Sequence, residues 1–194
     1  MASMPEGPTH PPSIAQHFSA EYKVPEPEPG TDLMADVDRM GMIGEKALRD
    51  RGYFTRIVVE DRGKPKRLLN PNRVRVLIVD DEESIAALIE KTLNRAGCRT
   101  LRAANREEIV RALESKPLPH LVLLDVLMPD ANGFDILNRI RQHPETQELP
   151  VVMLTSLGER KDITRGLALG ATGYVTKPVR PSTLLEVVEA VVAG

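Results

Sequence analysis

This sequence has one cysteine, a net charge close to zero and only short apolar runs, and each of these features excludes a class of protein. The 194 residues include a single cysteine, Cys98, which excludes an internal disulfide and a cysteine-based metal cluster. A net charge of −2 gives no global electrostatic reason to bind nucleic acid or an anionic membrane. Apolar runs stay well short of the roughly 18 residues of a membrane span, and nothing resembles a secretory signal. The composition predicts a cytoplasmic protein without membrane contact.

The first 30 residues are rich in proline and glutamate, and they end in the run PEPEPG. Such a segment buries too little apolar surface to offset the entropy of ordering the chain. We therefore predict that residues 1–30 form a disordered arm. Ile14 and Phe18 are an apolar pair within it, and the alternative is that they form a docking motif.

Residues 31–72 differ from the arm in pattern and in charge. Apolar residues at helical spacing after Thr31 predict a helix, and alternation over 53–59 predicts a strand. A turn at Asp61 to Gly63 then leads into a short return strand, so we predict a helix–hairpin extension. Residues 39–72 carry nine Lys/Arg against four Asp/Glu, a net of +5. This charge indicates either a solvated face paired with the acidic arm or a docking surface for an acidic partner or nucleic acid.

From residue 73 to the end, short apolar runs alternate with amphipathic stretches. Five strands alternate with five helices, which predicts an α/β fold: a doubly wound parallel sheet with helices on both faces. The run LVLLD, which ends at Asp125, is typical of a strand buried on both faces. Such sheets bind ligands beyond the carboxyl ends of their strands, so functional residues are expected there.

Acidic residues end two of the predicted strands. Asp80 and Asp81 follow the first strand, and Asp125 ends the central one. Adjacent carboxylates repel each other unless a cation lies between them. Carboxylate oxygens are ligands that Mg²⁺ prefers, so we predict a magnesium site; ordinary solvated acids are the alternative.

Three further side chains lie on or just after the last two strands, and each has two interpretations. Lys177 is either a simple charge partner or a group that pairs with Asp125 and later with an anion formed there. Thr155 is either a β-branched filler or a hydroxyl donor to a phosphoryl oxygen. Tyr174 is either packed in its strand or part of a switch.

Residues 74–194 resemble the receiver domain of two-component response regulators, of the chemotaxis-regulator type. The resemblance depends on the motifs VLIVDDEE, LLDVLMPDANGFDIL, VVMLTS and GYVTKP, in this order and at these spacings. It implies a flavodoxin-like five-stranded sheet of order 2-1-3-4-5. It also implies a phosphorylation-dependent switch, with the N-terminal extension left unassigned.

The resemblance assigns a role to each residue at the strand ends. Asp125 would accept a phosphoryl group from a histidine kinase or a histidine phosphotransfer protein. Asp80, Asp81, Asp125 and the main-chain carbonyl of Leu127 would hold Mg²⁺. Thr155, Lys177 and the backbone amide of Ser156 would bind the phosphoryl group. Thr155 and Tyr174 would form the switch and change the surface around the fourth helix, fifth strand and fifth helix.

The sequence departs from the family at two positions. Asp135 stands where the family often has Glu, and Leu127 is apolar where a polar residue is common. We hypothesise that Leu127 hinders the water that attacks the phosphorylated aspartate.

Three functions are weighed. The chain ends at Gly194, after the predicted fifth helix, so we expect a switch that contacts a downstream protein, with the switch surface as a candidate homodimer face. The alternatives are a DNA-binding regulator that uses the basic extension, and a phosphohydrolase. The latter is disfavoured because such enzymes usually place a general acid where Leu127 stands, so we do not expect a turnover enzyme.

Overall fold

The computed structural model of the chain describes residues 11–19, 54–56, 74–129, 131–156 and 160–193. Within these ranges the strands are β1 (Phe54–Arg56), β2 (Arg75–Val79), β3 (Arg99–Ala103), β4 (Leu121–Asp125), β5 (Leu127–Met128), β6 (Ala131–Asn132), β7 (Val151–Thr155) and β8 (Gly173–Thr176). The helices are α1 (Ile14–Ser19), α2 (Glu83–Arg95), α3 (Arg106–Glu114), α4 (Gly133–Gln142), α5 (Arg160–Ala168) and α6 (Pro181–Ala193). None of the helices in this part of the chain is both long and apolar enough to cross a bilayer.

A single parallel sheet carries the fold, in the strand order β1-β8-β7-β4-β2-β3. Without β1, this is the order 2-1-3-4-5 that the resemblance implies, so the predicted five-stranded sheet is confirmed. The short strands β5 and β6 pair antiparallel with each other between β4 and α4. β4 lies near the centre of the sheet, and all five of its residues are buried. The apolar run before Asp125 is therefore explained by burial on both faces.

Helices cover both faces of the sheet, and each face has its own apolar core. One core joins the sheet to α2 and α6, and it includes Cys98, which is buried. The other joins the sheet to α3, α4 and α5. Because alternate residues of a strand point to opposite faces, strands with no polar residue inside them can supply both cores. The carboxyl ends of the strands remain as the edge where polar side chains gather.

The prediction of a disordered arm is wrong for residues 11–19, which include helix α1. Ser13 and Gln16 form a capping box: the Ser13 hydroxyl accepts from the Gln16 amide at 3.3 Å, and the Gln16 side chain accepts from the Ser13 amide at 3.1 Å. Ile14 and Phe18 are 4% and 0% exposed in the core below α3 and α4. Burial of these two side chains gives a favourable free energy that offsets the entropy cost of ordering residues 11–19, a gain that the composition alone does not reveal.

Two histidines and an arginine tie the arm to α4. The His17 ring and the Arg139 guanidinium each donate to the other residue's carbonyl oxygen, at 3.1 and 2.8 Å. The His143 ring donates to the Pro12 carbonyl at 2.9 Å. The ring centroids of His17 and His143 are 5.5 Å apart. A polar contact that includes two imidazoles therefore holds the arm on the receiver unit.

We expect the docking of α1 to weaken in acid. Burial lowers the pKa of His17 from its ordinary 6.5, the bond to the Arg139 carbonyl partly offsets this, and the charges of His143 and Arg139 lower it further. The docked helix thus prefers neutral His17, so docking is complete above pH 6.5 and weakens as the pH falls below it. Hydrogen exchange of the α1 amides, corrected for intrinsic rates and measured on both sides of this pH, checks the prediction. His17→Gln keeps a donor but cannot titrate, so an equal pH dependence in this variant would contradict the mechanism.

The strand predicted over 53–59 is present as β1, at Phe54–Arg56, and it has a partner that the sequence did not predict. β1 pairs in parallel with β8, with Thr55 opposite Tyr174. It therefore joins the main sheet as a sixth strand, which alternation in the sequence cannot reveal because it does not specify a partner. The predicted helix after Thr31 and the return strand lie outside the described residues. The division of the chain near residues 30 and 72 stays a prediction.

Candidate functional site

The carboxyl ends of four adjacent strands bring the predicted acids and the lysine together. Asp80 and Asp81 follow β2, and Asp125 ends β4. One carboxylate oxygen from each of the three acids lies within 4.8 Å of the other two. Asp80 and Asp125 are 2% and 4% exposed, whereas Asp81 is exposed to solvent. The three acids therefore form a pocket with one open side.

Lys177, directly after β8, lies between the two buried carboxylates. Its Nζ donates to Asp125 Oδ2 at 2.8 Å and lies 2.9 Å from Asp80 Oδ2. The contact with Asp80 has the distance of an ion pair without the angles of a hydrogen bond, so this oxygen has no hydrogen-bond donor. The lysine side chain is 13% exposed, so removing it would leave buried carboxylate charge without a partner, which costs far more than breaking a surface ion pair.

Burial and pairing oppose each other in the pKa values of this pocket. Burial raises the pKa of Asp125, whereas the Lys177 hydrogen bond and charge lower it and the Asp80 charge raises it further. Burial would lower the pKa of Lys177, but its hydrogen bond to Asp125 and its close contact with the Asp80 carboxylate outweigh this and raise the pKa. The 2.8 Å contact and the raised lysine pKa indicate an ion pair at neutral pH.

The oxygen atoms of this pocket suit a hard divalent cation. Asp80 Oδ1 accepts from the Glu82 amide at 2.9 Å, which leaves Oδ2 without a donor. Asp125 Oδ1 accepts only at 3.3 Å, from the Leu127 amide, among the contacts of the described residues. Three carboxylates face one ammonium group, so negative charge is in excess. These carboxylate oxygens and the excess of negative charge fit an Mg²⁺ site.

The remaining predicted residues surround the same edge of the sheet. Thr155 ends β7 and is 1% exposed, and its carbonyl accepts from the Lys177 amide at 2.8 Å. Ser156, the next residue, is exposed. Leu127 is 51% exposed, an unusual position for a leucine, next to the acids. The strand ends thus place these three residues beside the acids and the lysine.

Tyr174 points into the protein from the middle of β8. It is 2% exposed and lies in the core on the α4 and α5 side. A Cβ atom at Gly166 of α5 would lie 1.5 Å from the tyrosine hydroxyl oxygen. The absence of a side chain at Gly166 therefore makes the room for this inward position, and sequence analysis did not identify that residue.

Gly133 is a second residue of the site that sequence analysis did not single out. It is the first residue of α4, and its amide donates to the Val126 carbonyl at 3.0 Å. A Cβ atom there would lie 2.2 Å from the carbonyl oxygen of Asp125. A glycine shortly after a strand that ends in a candidate nucleophile is the signal that marks such a close backbone approach.

Gly133→Ala should therefore destabilise the fold and misplace Asp125. Both neighbours of the new methyl group are backbone and cannot rotate away, so we expect a loss of about 3 kcal/mol in unfolding free energy. Urea unfolding measures this loss. Gly170→Ala is a matched control, because a side chain at φ +86° is also strained but lies beside Arg141 instead of Asp125. If Gly133→Ala proves as stable as the parent, the close approach is not a constraint.

Comparison with known proteins agrees with this geometry. The sheet and its acidic edge define a flavodoxin-like α/β protein with a carboxylate–lysine centre. A family model described as the response regulator receiver domain matches residues 76–189. The chain belongs to this family, and residues 76–189 are the receiver domain of a two-component response regulator.

Individual relatives match the same part of the chain. The phosphate regulon transcriptional regulatory protein PhoB of Rhizobium meliloti is 36% identical over 116 residues, 60% of this chain and 51% of its own. The chain thus spans about half the length of the curated relatives it matches. A putative response regulator from Chloroflexus aurantiacus has a TM-score of 0.59 at 37% identity, covering 62% of this chain and 98% of its own. The chemotaxis response regulator CheY4 of Vibrio cholerae has a TM-score of 0.57 at 34% identity, covering 61% and 98%.

Proposed function

We propose that the protein is a phosphorylation-dependent switch in which Asp125 accepts a phosphoryl group from a histidine kinase or a histidine phosphotransfer protein. The observation that carries the proposal is the buried Asp125 carboxylate, 2.8 Å from Lys177 and within 4.8 Å of two further carboxylates. A carboxylate is ionised at neutral pH and needs no general base to act as a nucleophile.

The transfer requires mainly positioning and charge neutralisation. An Asp125 oxygen attacks phosphorus, the P–N bond to the phosphohistidine breaks as the new P–O bond forms, and the imidazole nitrogen takes a proton as it leaves. Lys177, already held by Asp125 and Asp80, supplies positive charge beside the incoming oxygens.

Neighbouring residues complete the proposed site. Asp80, Asp81, Asp125 and the Leu127 carbonyl would hold Mg²⁺, which supplies further positive charge when bound. The Thr155 hydroxyl and the Ser156 amide would bind the phosphoryl oxygens. A shift of Thr155 toward the new anion would open space for Tyr174 to turn, which makes these two residues the switch.

The proposed switch differs from a turnover enzyme in what happens to the phosphoryl group after transfer. The phosphoryl group stays on Asp125 as a signal until water removes it, and Leu127 stands where a phosphohydrolase would have its general acid. Output would pass to a downstream protein target through the changed surface. The cytoplasmic location stays a prediction from the sequence.

Incubation with acetyl phosphate or a small phosphoramidate, with and without Mg²⁺, tests the proposal. Intact mass should show one phosphate adduct that depends on Mg²⁺, and peptide mapping should place it on Asp125. Continuous hydrolysis of the donor without a protein adduct would favour the phosphohydrolase instead. No adduct and no hydrolysis would overturn both.

Leu127→Asn should shorten the lifetime of the phosphorylated protein. The exposed leucine next to Asp125 excludes the attacking water, and an asparagine would admit and orient it. We expect dephosphorylation to accelerate by roughly tenfold. This is less than the roughly 10²–10⁴-fold effect of a general acid or base, because the asparagine only orients the attacking water. Loss of the adduct, followed by mass after removal of the donor, measures the rate. An unchanged rate would show that Leu127 does not shield the site.

The DNA-binding alternative is favoured by the names of the curated relatives, which describe them as transcriptional regulatory proteins. In this chain it would depend on the basic segment 39–72, most of which lies outside the described residues. A salt-dependent shift of duplex DNA that is lost on neutralising Lys64, Lys66 and Arg67 would support it.

A further inference from the structure

The strand that leads into the site, β8, has a neighbour on each side. On one side it pairs with β7 through four residues, and on the other with β1 through three. β1 comes from the segment that precedes the receiver domain, and among the described strands it is the outermost one on this side of the sheet. A backbone edge that would otherwise be open to another strand is thus covered by the protein's own extension.

β8 is connected directly to the reacting groups. Lys177 follows its last residue, and Lys177 contacts both Asp125 and Asp80. Tyr174, whose side chain fills the space beside Gly166, is the residue that lies opposite Thr55 in β1. A change in the positions of Lys177 and Tyr174 therefore acts on the backbone that β1 pairs with.

β7 lies inside the sheet between β8 and β4, whereas β1 is the outermost of the described strands. The pairing of β8 with β7 is also extended at both ends by main-chain bonds, Thr172 to Val151 at 2.7 Å and Lys177 to Thr155 at 2.8 Å. Outer pairings open before inner ones in folded proteins, so a shift of β8 would be absorbed on the β1 side.

We propose that β1 is a cap on the edge of β8 that is released when Asp125 is phosphorylated. The inference rests on the proposed function and adds its output: the backbone edge of β8 becomes available to the downstream protein target. Because β1 and β8 belong to one chain, the cap has a high local concentration and reforms once the phosphoryl group is lost.

Hydrogen exchange of the full chain tests this inference. The chain is measured with and without acetyl phosphate and Mg²⁺, and intact mass records the adduct in the same samples. We expect the β1 amides that pair with β8 to exchange roughly tenfold faster in the adduct, which corresponds to the net loss of about one hydrogen bond. Asp125→Asn, treated identically, should show no change.

A second variant separates release from general loosening. Successive amides of a strand point to opposite sides, so Thr55→Pro with Arg56→Pro removes at least one donor to β8 whichever register faces it. Exchange at Phe54, the one residue of β1 that keeps its amide, should then be fast in both states, while adduct formation continues at the parent rate.

The outcomes distinguish the inference from the function beneath it. An adduct with unchanged or slower exchange in β1 overturns the cap and leaves the phosphoacceptor intact. No adduct on the parent chain overturns the proposed function and the cap together. Fast exchange in β1 before phosphorylation would show that no cap exists to be released.

Discussion

Asp125→Asn is expected to abolish the phosphate adduct while leaving the protein folded. An amide oxygen is a poor nucleophile, and a phosphoryl group on it could not persist as the carboxylate adduct does. The amide oxygen still accepts a hydrogen bond from Lys177, which keeps Asp80 as its second partner. We therefore expect a change in unfolding free energy within roughly 1 kcal/mol. Intact mass and urea unfolding measure the two effects.

Asp135→Asn is the matched control for this prediction. It makes the same chemical change to an aspartate in the first turn of α4, outside the acidic pocket. This variant should form the adduct as the parent does. A full adduct on Asp125→Asn would show that another residue accepts the phosphoryl group, and the proposed function would lose its central residue.

Lys177→Met is expected to lower the unfolding free energy in Mg²⁺-free buffer by about 3–5 kcal/mol. The substitution keeps the length of the apolar stem but removes the positive charge between Asp80 and Asp125. These carboxylates are 2% and 4% exposed, so solvent cannot replace the lost partner. Mg²⁺ should restore more stability to this variant than to the parent, because the ion binds where the ammonium group no longer competes.

Lys116→Met provides the control for a general loss of charge. Lys116 pairs with Glu145, and its side chain is 60% exposed, so its removal should change the unfolding free energy by less than about 1 kcal/mol. Urea unfolding of both variants, with and without Mg²⁺, completes the comparison. Equal losses in the two variants, or an equal response to Mg²⁺ in Lys177→Met and the parent, would contradict the charge balance described for the pocket.

The members of the site were predictable because a parallel sheet converts chain order into proximity. The predicted strands that supply the site were apolar runs that ended at, or just before, a polar residue, as at Asp80 and Asp125. The carboxyl ends of parallel strands lie at one edge, so these residues meet whatever the details of packing. Their separations and burial were not predictable, because both depend on how α4 and its glycine pack against β4.

Helix α1 and strand β1 show which features of the N-terminal residues composition and local pattern could not predict. Proline and glutamate dominate residues 1–30, and averaging over them hid the Ser13–Gln16 capping box and the pair formed by Ile14 and Phe18. The two apolar residues were noticed, but only the receiver surface decides whether they have something to pack against. β1 was likewise recognised as a strand, and the free edge of β8 decided its partner.

The sequence by itself determined the alternation of strands and helices and the identity of the acids and lysine at the edge of the sheet, whereas the order of the strands was only implied by the resemblance to the family. The first two follow from apolar periodicity and from where polar residues interrupt it, which are local properties of the chain. Only the tertiary structure decided that Lys177 lies between Asp80 and Asp125, that Gly133 and Gly166 leave room for Asp125 and Tyr174, and that α1 and β1 each pack against the receiver domain. Those contacts join residues distant in the chain, and their free energies depend on shapes that no local pattern encodes.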